Sequence, residues 1–431
     1  MRSPIPYIAA LAATFCFLSP ALSYAADCVV PAGNNAVTLR SGPSADSAAA
    51  GTIVAGRPLP LVASLKGWYE VRVSADQTAF AAKRGTNTAA CPGPAAATAP
   101  AQGARFELHA IDVGTGLSIF VRGPDFTLLY DAGSNDDIAR GPDNRVVSYL
   151  KTLTPEVANI DHIILSHPHR DHVELLPDVI KTFPPRNVWN SGAYNDICGY
   201  RNFLLAISAN PAIQYHTATQ DSGPENWQMA AKTCYGEKQL KQPVVLQHAK
   251  RIDDSRIPIG RDAAITFLYA DGTPHESANE NSLVMRLDLG THHVLFMGDA
   301  EAGGRKSPQE TPLKTSIEGK LLECCVPDLA ADLLIAGHHG SKTSSRDAFL
   351  DKVGAKFFVV SAGPTKYGKV TLPDEEIVTD LERRGTVYRT DLEDDACAKA
   401  PDKIGPVNDG RPGGCENIVL VISPSGIAPL D

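Results

Sequence analysis

The sequence predicts an α/β domain preceded by a small all-β domain, and three observations support this prediction. Residues 92–104 (PGPAAATAPAQGA) form a Pro/Ala/Gly linker without apolar periodicity. Before the linker, short β-type runs alternate with Gly- and Pro-containing turns. After it, apolar strand-like runs alternate with helical stretches, which is typical of helices that cover a sheet. Two domains also suit a mature chain of about 400 residues, which exceeds what one hydrophobic core usually serves.

The first 25 residues have the features of an export signal. Arg2 precedes an apolar core that ends at Leu18, and Ser23 and Ala25 occupy the small-residue cleavage positions. The apolar run is shorter than the roughly 20 residues of a membrane-spanning helix. We therefore expect no stable membrane span and a periplasmic or secreted protein, with a retained N-terminal anchor as the alternative.

The chain has nine cysteines, of which Cys16 lies in the signal, so eight remain after its removal. An even number of cysteines in an exported chain is typical of disulfides, but the sequence does not determine their pairing. Local pairing would join Cys28 to Cys91, Cys198 to Cys234 and Cys397 to Cys415. We interpret the adjacent Cys324 and Cys325 as two small buried residues, with a bridge between them or a redox pair as the alternatives.

The formal net charge of −9 limits the classes of partner. An acidic chain gains no general electrostatic attraction to nucleic acid or to anionic membranes. Binding of either would therefore require a local basic site.

The first domain, residues 27–91, contains β-type runs at 36–39, 59–62 and 68–73. Turn residues separate these runs, which predicts a small barrel.

Three segments of this domain resemble bacterial SH3-like domains: TLRSGPS at 38–44, GTI at 51–53 and GWYEVR at 67–72. The chain departs from the family at 78–82 (TAFAA), where a Gly-Trp-Val strand is common. The resemblance implies a targeting module that contacts peptidoglycan. The alternative is a domain with a purely structural role.

The second domain, residues 105–431, is predicted to alternate apolar strands with helices. The strand candidates are 106–111, 117–121, 127–130, 162–165, 282–287, 294–297, 333–335, 357–361 and 418–422. The helix candidates are 145–153, 173–182, 345–352 and 374–384. Residues 185–260 have little periodicity, and we interpret them as an insertion or lid that borders a site.

The run HPHRDH at 167–172 places four potential metal ligands directly after an apolar strand. Imidazole and carboxylate are preferred ligands of zinc, manganese and iron. Three further predicted strands end in an acid or a histidine, namely Asp131, Asp299 and the pair His338 and His339. Four strand ends with such residues predict a ring of ligands at one rim of a sheet.

These motifs resemble the metallo-β-lactamase-fold hydrolases, and most closely the hydrolase domain of ComEC-type DNA-uptake proteins. The matching segments are DVGTG at 112–116, DAG at 131–133, HPHRDH at 167–172, NENSLV at 279–284, GD at 298–299 and HHGS at 338–341. The resemblance implies a four-layered αββα sandwich. It does not identify the substrate, because the family includes lactamases, lactonases, nucleases and phosphodiesterases.

The resemblance also implies a binuclear metal centre, with zinc expected and manganese as the alternative. His167 and His169 would hold one ion, and Asp171 and His172 the other. Asp299 would bridge the two ions, and His339 or His338 would complete the second site. Two close ions lower the pKa of a water between them, so that hydroxide becomes the nucleophile and Asp171 and Asp299 belong to the catalytic centre. Asp131 would orient a ligand imidazole, with a purely structural role as the alternative.

Two departures from the family weaken a direct transfer of function. Many members supply another histidine before the bridging Asp, whereas His216, His248 and His275 lie outside the motifs and are expected at the surface. The ComEC-type run Tyr-Gly-His-Pro is represented here by Tyr367-Gly368 without the histidine. His292 and His293 are interpreted as exposed residues of a turn.

Ser341, Lys342 and Thr343 follow the second histidine pair and are predicted to bind substrate, because hydroxyls and an ammonium at a helix start suit a phosphate. An ordinary helix N-cap is the alternative. The leading hypothesis is an exported binuclear hydrolase of a phosphodiester, which could be nucleic acid. The alternatives are a cell-envelope ester or amide hydrolase and a binding protein of the same fold without turnover.

Overall fold

The structure, a computed structural model, describes residues 27–33, 37–53, 59–74, 77–90, 104–137, 140–153, 155–392 and 417–430. The chain divides into two compact units, 1–101 and 102–431. The predicted export signal and the partners Cys91, Cys397 and Cys415 of the proposed disulfides lie outside the described residues. Within the described part of the chain, no helix has the length and apolar character needed to cross a membrane.

The first unit is an antiparallel sheet of seven strands in the order β3-β2-β6-β5-β4-β1-β7. The strands are β1 (Asp27–Pro31), β2 (Val37–Arg40), β3 (Ala49–Ile53), β4 (Leu59–Leu65), β5 (Trp68–Ser74), β6 (Gln77–Ala82) and β7 (Thr86–Ala90). The segment that departs from the SH3-like pattern still forms β6. Its Ala79 and Ala81 are buried beside Leu39 and Val71, so alternation of small apolar residues is sufficient there.

The second unit contains 21 further strands and eight α-helices among the described residues. The strands are β8 (Phe106–Ala110), β9 (Ile119–Arg122), β10 (Thr127–Tyr130), β11 (His162–Leu165), β12 (Asn187–Asn190), β13 (Gln214–Thr217), β14 (Gly223–Met229), β15 (Lys232–Cys234), β16 (Glu237–Gln239), β17 (Gln242–His248), β18 (Ile257–Gly260), β19 (Ala263–Tyr269), β20 (Val284–Leu289), β21 (His292–Phe296), β22 (Leu333–Ile335), β23 (Phe357–Val360), β24 (Lys366–Tyr367), β25 (Val370–Thr371), β26 (Thr386–Arg389), β27 (Ile418–Ser423) and β28 (Gly426–Pro429). The helices are α1 (Arg145–Thr152), α2 (Arg170–Val173), α3 (Leu176–Thr182), α4 (Cys198–Ser208), α5 (Ile317–Cys324), α6 (Val326–Leu329), α7 (Asp347–Val353) and α8 (Glu375–Arg384).

Most of these strands form two sheets. The first sheet has the order β14-β17-β13-β12-β11-β10-β9-β8-β27-β28, and β10 to β13 are parallel in it. The second sheet has the order β18-β19-β20-β21-β22-β23-β26, and β21, β22, β23 and β26 are parallel. Parallel neighbours carry their carboxyl ends to the same edge, where the candidate ligands follow β10, β11, β21 and β22.

Alternating side chains divide the second unit into three apolar cores. On β10 and β11, Leu129 and Ile163 pack with residues of α1, α3 and α4. Their neighbours Leu128 and Ile164 pack with Phe296 of the second sheet. Leu295 on β21 points to a third core, which includes residues of α5, α7 and α8. The order helix, sheet, sheet, helix confirms the predicted αββα sandwich.

The interpretation of residues 185–260 as an insertion or lid is wrong for most of the segment. It contributes β12, α4, β13, β14 and β17 to the first sheet and its covering helix layer. The edge strand β14 and its neighbour β17 are covered on only one face, so their apolar residues are sparse and the periodicity is weak.

The structure also corrects the interpretation of four histidines. His216 and His248 are buried: His216 stacks on Trp189 with ring centroids 3.8 Å apart, and His248 pairs with Glu225 at 2.7 Å. His292 and His293 are half-buried at the start of β21 rather than exposed in a turn. Cross-strand partners, including Asp288 for His293, explain their burial.

Of the proposed disulfides, that between Cys198 and Cys234 is present. The interpretation of Cys324 and Cys325 as two unlinked residues is wrong, because their sulfurs are bonded to each other. Cys324 is also exposed rather than buried, since it lies at the C-terminal end of α5.

Candidate metal centre

The HPHRDH run forms the turn between β11 and α3. His167 leaves the end of β11, and the short helix α2 begins at Arg170, so Asp171 and His172 turn back toward the same centre. His167 and His172 are completely buried. The backbone N–H groups of His172 and Val173 both donate to the carbonyl of His169, which stabilises this tight turn.

The ligand atoms of His167, His169 and Asp299 all lie within 4.8 Å of one another, and we call them the first group. His167 Nε2 is 3.0 Å from His169 Nδ1 and 3.7 Å from Asp299 Oδ2. Burial lowers the pKa of both histidines, so their imidazoles are held in the neutral form that binds a metal.

Asp171, His172 and His339 form a second group, within the same 4.8 Å limit. The other oxygen of Asp299 faces this group: Oδ1 is 3.1 Å from His172 Nε2 and 3.6 Å from His339 Nε2. His339 Nε2 is also 3.7 Å from Asp171 Oδ2. Asp299 therefore lies between the two groups, with one oxygen toward each.

Three buried atoms of this centre have no hydrogen-bond partner among the described residues: His172 Nε2, His339 Nε2 and Asp299 Oδ1. Leaving buried polar atoms unsatisfied costs about 1–3 kcal/mol each, so such atoms need an explanation. Each is an atom type that coordinates a divalent cation. The residues present therefore fit a metal ion in the second group.

The Nδ1 atoms of His172 and His339 form hydrogen bonds within the protein. His339 Nδ1 donates to the carbonyl of Ser361 at 2.8 Å, and His172 Nδ1 donates to Asp131 Oδ2 at 2.8 Å. These hydrogen bonds leave Nε2 of each ring facing Asp299.

Asp131 follows β10 and has a left-handed backbone, with φ of 59°. Its Oδ1 accepts from the backbone N–H of Ser166 at 2.7 Å, and its Oδ2 accepts from the Ser166 hydroxyl at 2.7 Å. Asp131 is thus close to His172 rather than to the ligand atoms themselves. Burial raises the pKa of Asp131 in spite of these hydrogen bonds.

At the centre, neighbouring charges shift the pKa values of His172 and Asp299 in the direction opposite to the effect of burial. Burial by itself lowers the pKa of His172, but the carboxylates of Asp299 and Asp131 outweigh it and raise this pKa well above the usual value. Burial likewise raises the pKa of Asp299, but the neighbouring His172, His339 and His338 outweigh it and lower this pKa.

His338 and His339 are adjacent and both have left-handed backbone, with φ of 49° and 53°. This conformation is uncommon outside glycine and costs roughly 1–3 kcal/mol per residue. It directs both rings to the centre but to different oxygens of Asp299. His338 Nε2 is 3.7 Å from Oδ2, which is the oxygen that also faces His167.

The predicted substrate-binding residues have different surroundings. Lys342 does not reach the centre, because its ammonium pairs with Glu376 at 2.8 Å. Ser341 is buried, and its hydroxyl accepts from the backbone N–H of Thr343 at 3.2 Å. Thr343 Oγ1 lies 2.7 Å from His338 Nδ1, so it touches the centre only through that imidazole. The N-cap alternative is wrong, since α7 begins at Asp347 with Arg346 as N-cap and no side-chain cap, whereas substrate binding by these residues stays a prediction.

The structure brings two further residues to Asp171. The amide of Asn135 donates to Asp171 Oδ2 at 3.0 Å, and the hydroxyl of Tyr367 donates to the same oxygen. Burial and the nearby Asp171 raise the pKa of Tyr367, so its phenol keeps the proton. Tyr367 belongs to the motif that lacks its histidine, and the retained Tyr-Gly was the available signal. For Asn135, the sequence offered no signal beyond its closeness to the DAG motif at 131–133.

A cavity of about 440 Å³ opens onto these residues. Its lining includes Asn135, Arg170, Asn195, Asn279, His338 and Tyr367, with Asp171 and Asp299 also in contact. Arg170 is exposed. The cavity therefore connects the two ligand groups to solvent.

Comparison with known families identifies the second unit. The model of the metallo-beta-lactamase superfamily matches residues 111–363, which is more than half of the chain. The chain belongs to the metallo-beta-lactamase superfamily. A model of the bacterial SH3 domain matches residues 35–86, so the first unit contains a domain of that family.

Curated relatives of this metallo-beta-lactamase protein include ComE operon protein 3 of Bacillus subtilis (strain 168) and Recombination protein 2 of Haemophilus influenzae. Each is 24% identical, over 66% and 68% of this chain, respectively. The chain spans only 32% and 28% of the length of these two relatives. Among solved structures, the metallo-beta-lactamase fold protein YhfI from Bacillus subtilis is similar at 16% identity and a TM-score of 0.37, covering 66% of this chain and 97% of that one.

Proposed function

We propose that this protein is an exported, metal-dependent hydrolase of phosphodiester bonds. The observation that carries the proposal is the position of Asp299, whose two oxygens face two separate groups of imidazole and carboxylate ligands. When two divalent ions are bound, they supply an activated water and polarise the bond under attack. Zinc is the expected metal and manganese the alternative, because the ligands are imidazoles and carboxylates without thiolates.

The chain's own residues divide this task. His167 and His169 are proposed to hold the first ion, and Asp171, His172 and His339 the second, with Asp299 shared between them. We assign His338 to the first ion, because its Nε2 faces the same Asp299 oxygen as His167 does. This assignment supplies an imidazole where the motif histidine of many family members is missing.

Three residues around the ligands are proposed to position them. Asp131 holds the His172 ring, while Asn135 and Tyr367 hold Asp171 through its Oδ2. Such contacts orient ligands, and their loss typically weakens metal binding about 10- to 100-fold.

The cavity favours a phosphodiester over a neutral ester. Its wall carries the exposed guanidinium of Arg170, which is a donor suited to phosphate oxygens. The names of two relatives, Recombination protein 2 of Haemophilus influenzae and Competence protein ComA of Neisseria gonorrhoeae, refer to recombination and competence, which supports nucleic acid as a substrate.

A cell-envelope ester or amide is the second candidate substrate. The bacterial SH3 domain at 35–86 favours it, since such domains contact cell-wall peptides and would place the enzyme on peptidoglycan. The disulfides Cys198–Cys234 and Cys324–Cys325 support export to an oxidising compartment such as the periplasm.

The decisive experiment is a substrate panel for the full chain, loaded with zinc or with manganese. Bis-p-nitrophenyl phosphate, nitrocefin and a thioester are compared, with Asp299→Asn as the matched inactive control. We expect hydrolysis of the phosphodiester only. Hydrolysis of nitrocefin or the thioester alone would reject the phosphodiester assignment, and no turnover of any substrate would favour a binding protein.

The proposed wall contact is tested by sedimentation with purified peptidoglycan. We expect the full chain to sediment and a chain that lacks residues 27–91 to remain in solution. Equal behaviour of the two proteins would leave the SH3 domain with a structural role.

A further inference from the structure

An exposed aromatic surface lies next in the chain to residues that line the cavity of the candidate metal centre. Tyr194 is 42% exposed, although its ring packs against Trp227 with centroids 4.7 Å apart and against the edge of Tyr200 at 5.9 Å. Its hydroxyl donates to Asp196 Oδ1 at 3.2 Å. The ring is therefore held in place while much of it faces solvent. We call Tyr194 and Trp227 the aromatic shelf.

The aromatic shelf is tied directly to the turn that carries the first ligand group. Asn195, the next residue after Tyr194, donates its side-chain N–H to the carbonyl of Pro168 at 2.9 Å. Pro168 lies between His167 and His169. Asn195 and Ile197 also line the 440 Å³ cavity that contains Asp299. Tyr194 of the aromatic shelf is therefore next in the chain to a residue of the cavity wall.

The wall of the same cavity also carries an available cation. Arg170 is exposed, and it has no ion pair or side-chain hydrogen bond among the described residues. The other nearby cations are engaged, since Arg201 and Lys232 both pair with Asp196. An unpaired guanidinium readily takes two oxygens of a phosphate.

We propose that the aromatic shelf and the neighbouring cavity wall bind an unpaired nucleobase of a nucleic-acid strand, which stacks on Tyr194 while Arg170 contacts an adjacent phosphate. The inference rests on the proposed phosphodiester hydrolysis and names its substrate class as single-stranded nucleic acid. Every base has an aromatic face, so stacking tolerates any sequence, whereas the bases of a duplex keep their faces stacked on each other. Contact with one or two nucleotides also suits a chain with a formal net charge of −9.

Two chromogenic esters with the same leaving group provide the test. Thymidine 5′-(p-nitrophenyl phosphate) carries a base, and bis-p-nitrophenyl phosphate does not. We expect the ratio of their kcat/KM values to favour the thymidine ester in the wild type. The ratio should fall about tenfold in Tyr194→Ala, as expected for one lost stacking contact, and persist in Tyr194→Phe, which keeps the ring.

Tyr235→Ala is the matched control. Tyr235 is 43% exposed and lies over the guanidinium of Arg140 at 3.7 Å, but it does not line the cavity. Its substitution should leave the ratio unchanged. An unaltered ratio in Tyr194→Ala, or an equal fall in Tyr235→Ala, would overturn the inference.

Binding separates this inference from the proposed function. If neither ester is hydrolysed, the proposed function fails, and binding of a fluorescent oligothymidylate is compared with binding of the matching duplex. Tighter binding of the single strand that is lost in Tyr194→Ala would still support the aromatic shelf. Equal affinity of wild type and Tyr194→Ala for the single strand would reject it.

Discussion

The carboxylate of Asp131 accepts a 2.8 Å hydrogen bond from His172 Nδ1, and both residues are completely buried. This contact holds the imidazole so that Nε2 lies 3.1 Å from Asp299 Oδ1. The same carboxylate also accepts two hydrogen bonds from Ser166, the residue before His167. Asp131 therefore contacts both His172 of the second group and Ser166, which precedes His167 of the first group.

Asp131→Asn should weaken metal binding without loss of the fold. Asn tolerates the left-handed backbone at this position, but it lacks the charge that holds the His172 ring. We expect metal affinity to fall about 10- to 100-fold. Competition with a chromogenic chelator measures the affinity, and circular dichroism checks the fold. Wild-type affinity would mean that Asp131 has only a structural role.

Asp299→Asn should abolish turnover and prevent the binding of two ions. The backbone N–H of Asp299 donates to the Ser282 hydroxyl at 3.0 Å, and this contact is retained because it does not involve the side chain. The amide, in contrast, cannot offer two anionic oxygens to two cations. Mass spectrometry of metal content should show fewer than two ions per chain, with an intact fold. Full activity would remove Asp299 as the shared ligand.

His338→Ala and His339→Ala should affect different ions. His339 Nε2 faces Asp171 and the Asp299 oxygen of the second group, whereas His338 Nε2 faces the oxygen shared with His167. Cobalt substitution followed by visible spectroscopy distinguishes the two sites in each variant. Thr343→Val, which removes the hydroxyl 2.7 Å from His338 Nδ1, should weaken the same site as His338→Ala, but less severely. Identical spectra for His338→Ala and His339→Ala would contradict separate roles.

The free energy of unfolding should depend on pH through the ionisation of Glu318. Burial raises the pKa of this carboxyl to about 8, although the backbone N–H groups of Ser345 and Arg346 donate to it. The folded state then binds the proton more tightly than the unfolded state, whose pKa is close to 4.5. The contribution of Glu318 is complete below the unfolded pKa and is lost as pH rises through 8, by up to about 1.4 kcal/mol per pH unit.

Urea denaturation of the wild type and Glu318→Gln at pH 5, 6, 7 and 8 measures this effect. The free energy of unfolding of the wild type should fall more steeply with pH than that of the variant, which cannot ionise at this position. The difference isolates Glu318 from the histidines, which titrate in both proteins. Parallel pH profiles would show that Glu318 keeps an ordinary pKa in the folded state.

The order of apolar runs and motifs along the chain was sufficient to predict much of the fold of the second unit. The apolar runs before Asp131, His167, Asp299 and His338 are the strands β10, β11, β21 and β22, because continuous apolar runs are typical of strands buried on both faces. Parallel pairing brings the carboxyl ends of β10 and β11 together in the first sheet and those of β21 and β22 together in the second. The αββα arrangement could thus be predicted from the motifs and their resemblance.

The partners of the side chains at the metal centre could not be predicted from the sequence, because they depend on contacts between residues far apart in the chain. Adjacent His338 and His339 face different oxygens of Asp299 only because both backbones are left-handed, which their sequence does not indicate. Lys342 meets Glu376 of α8, and Tyr367 reaches Asp171 although the two lie 196 positions apart in the chain. Such pairings arise when loops from different strands meet at one rim, so no local pattern encodes them.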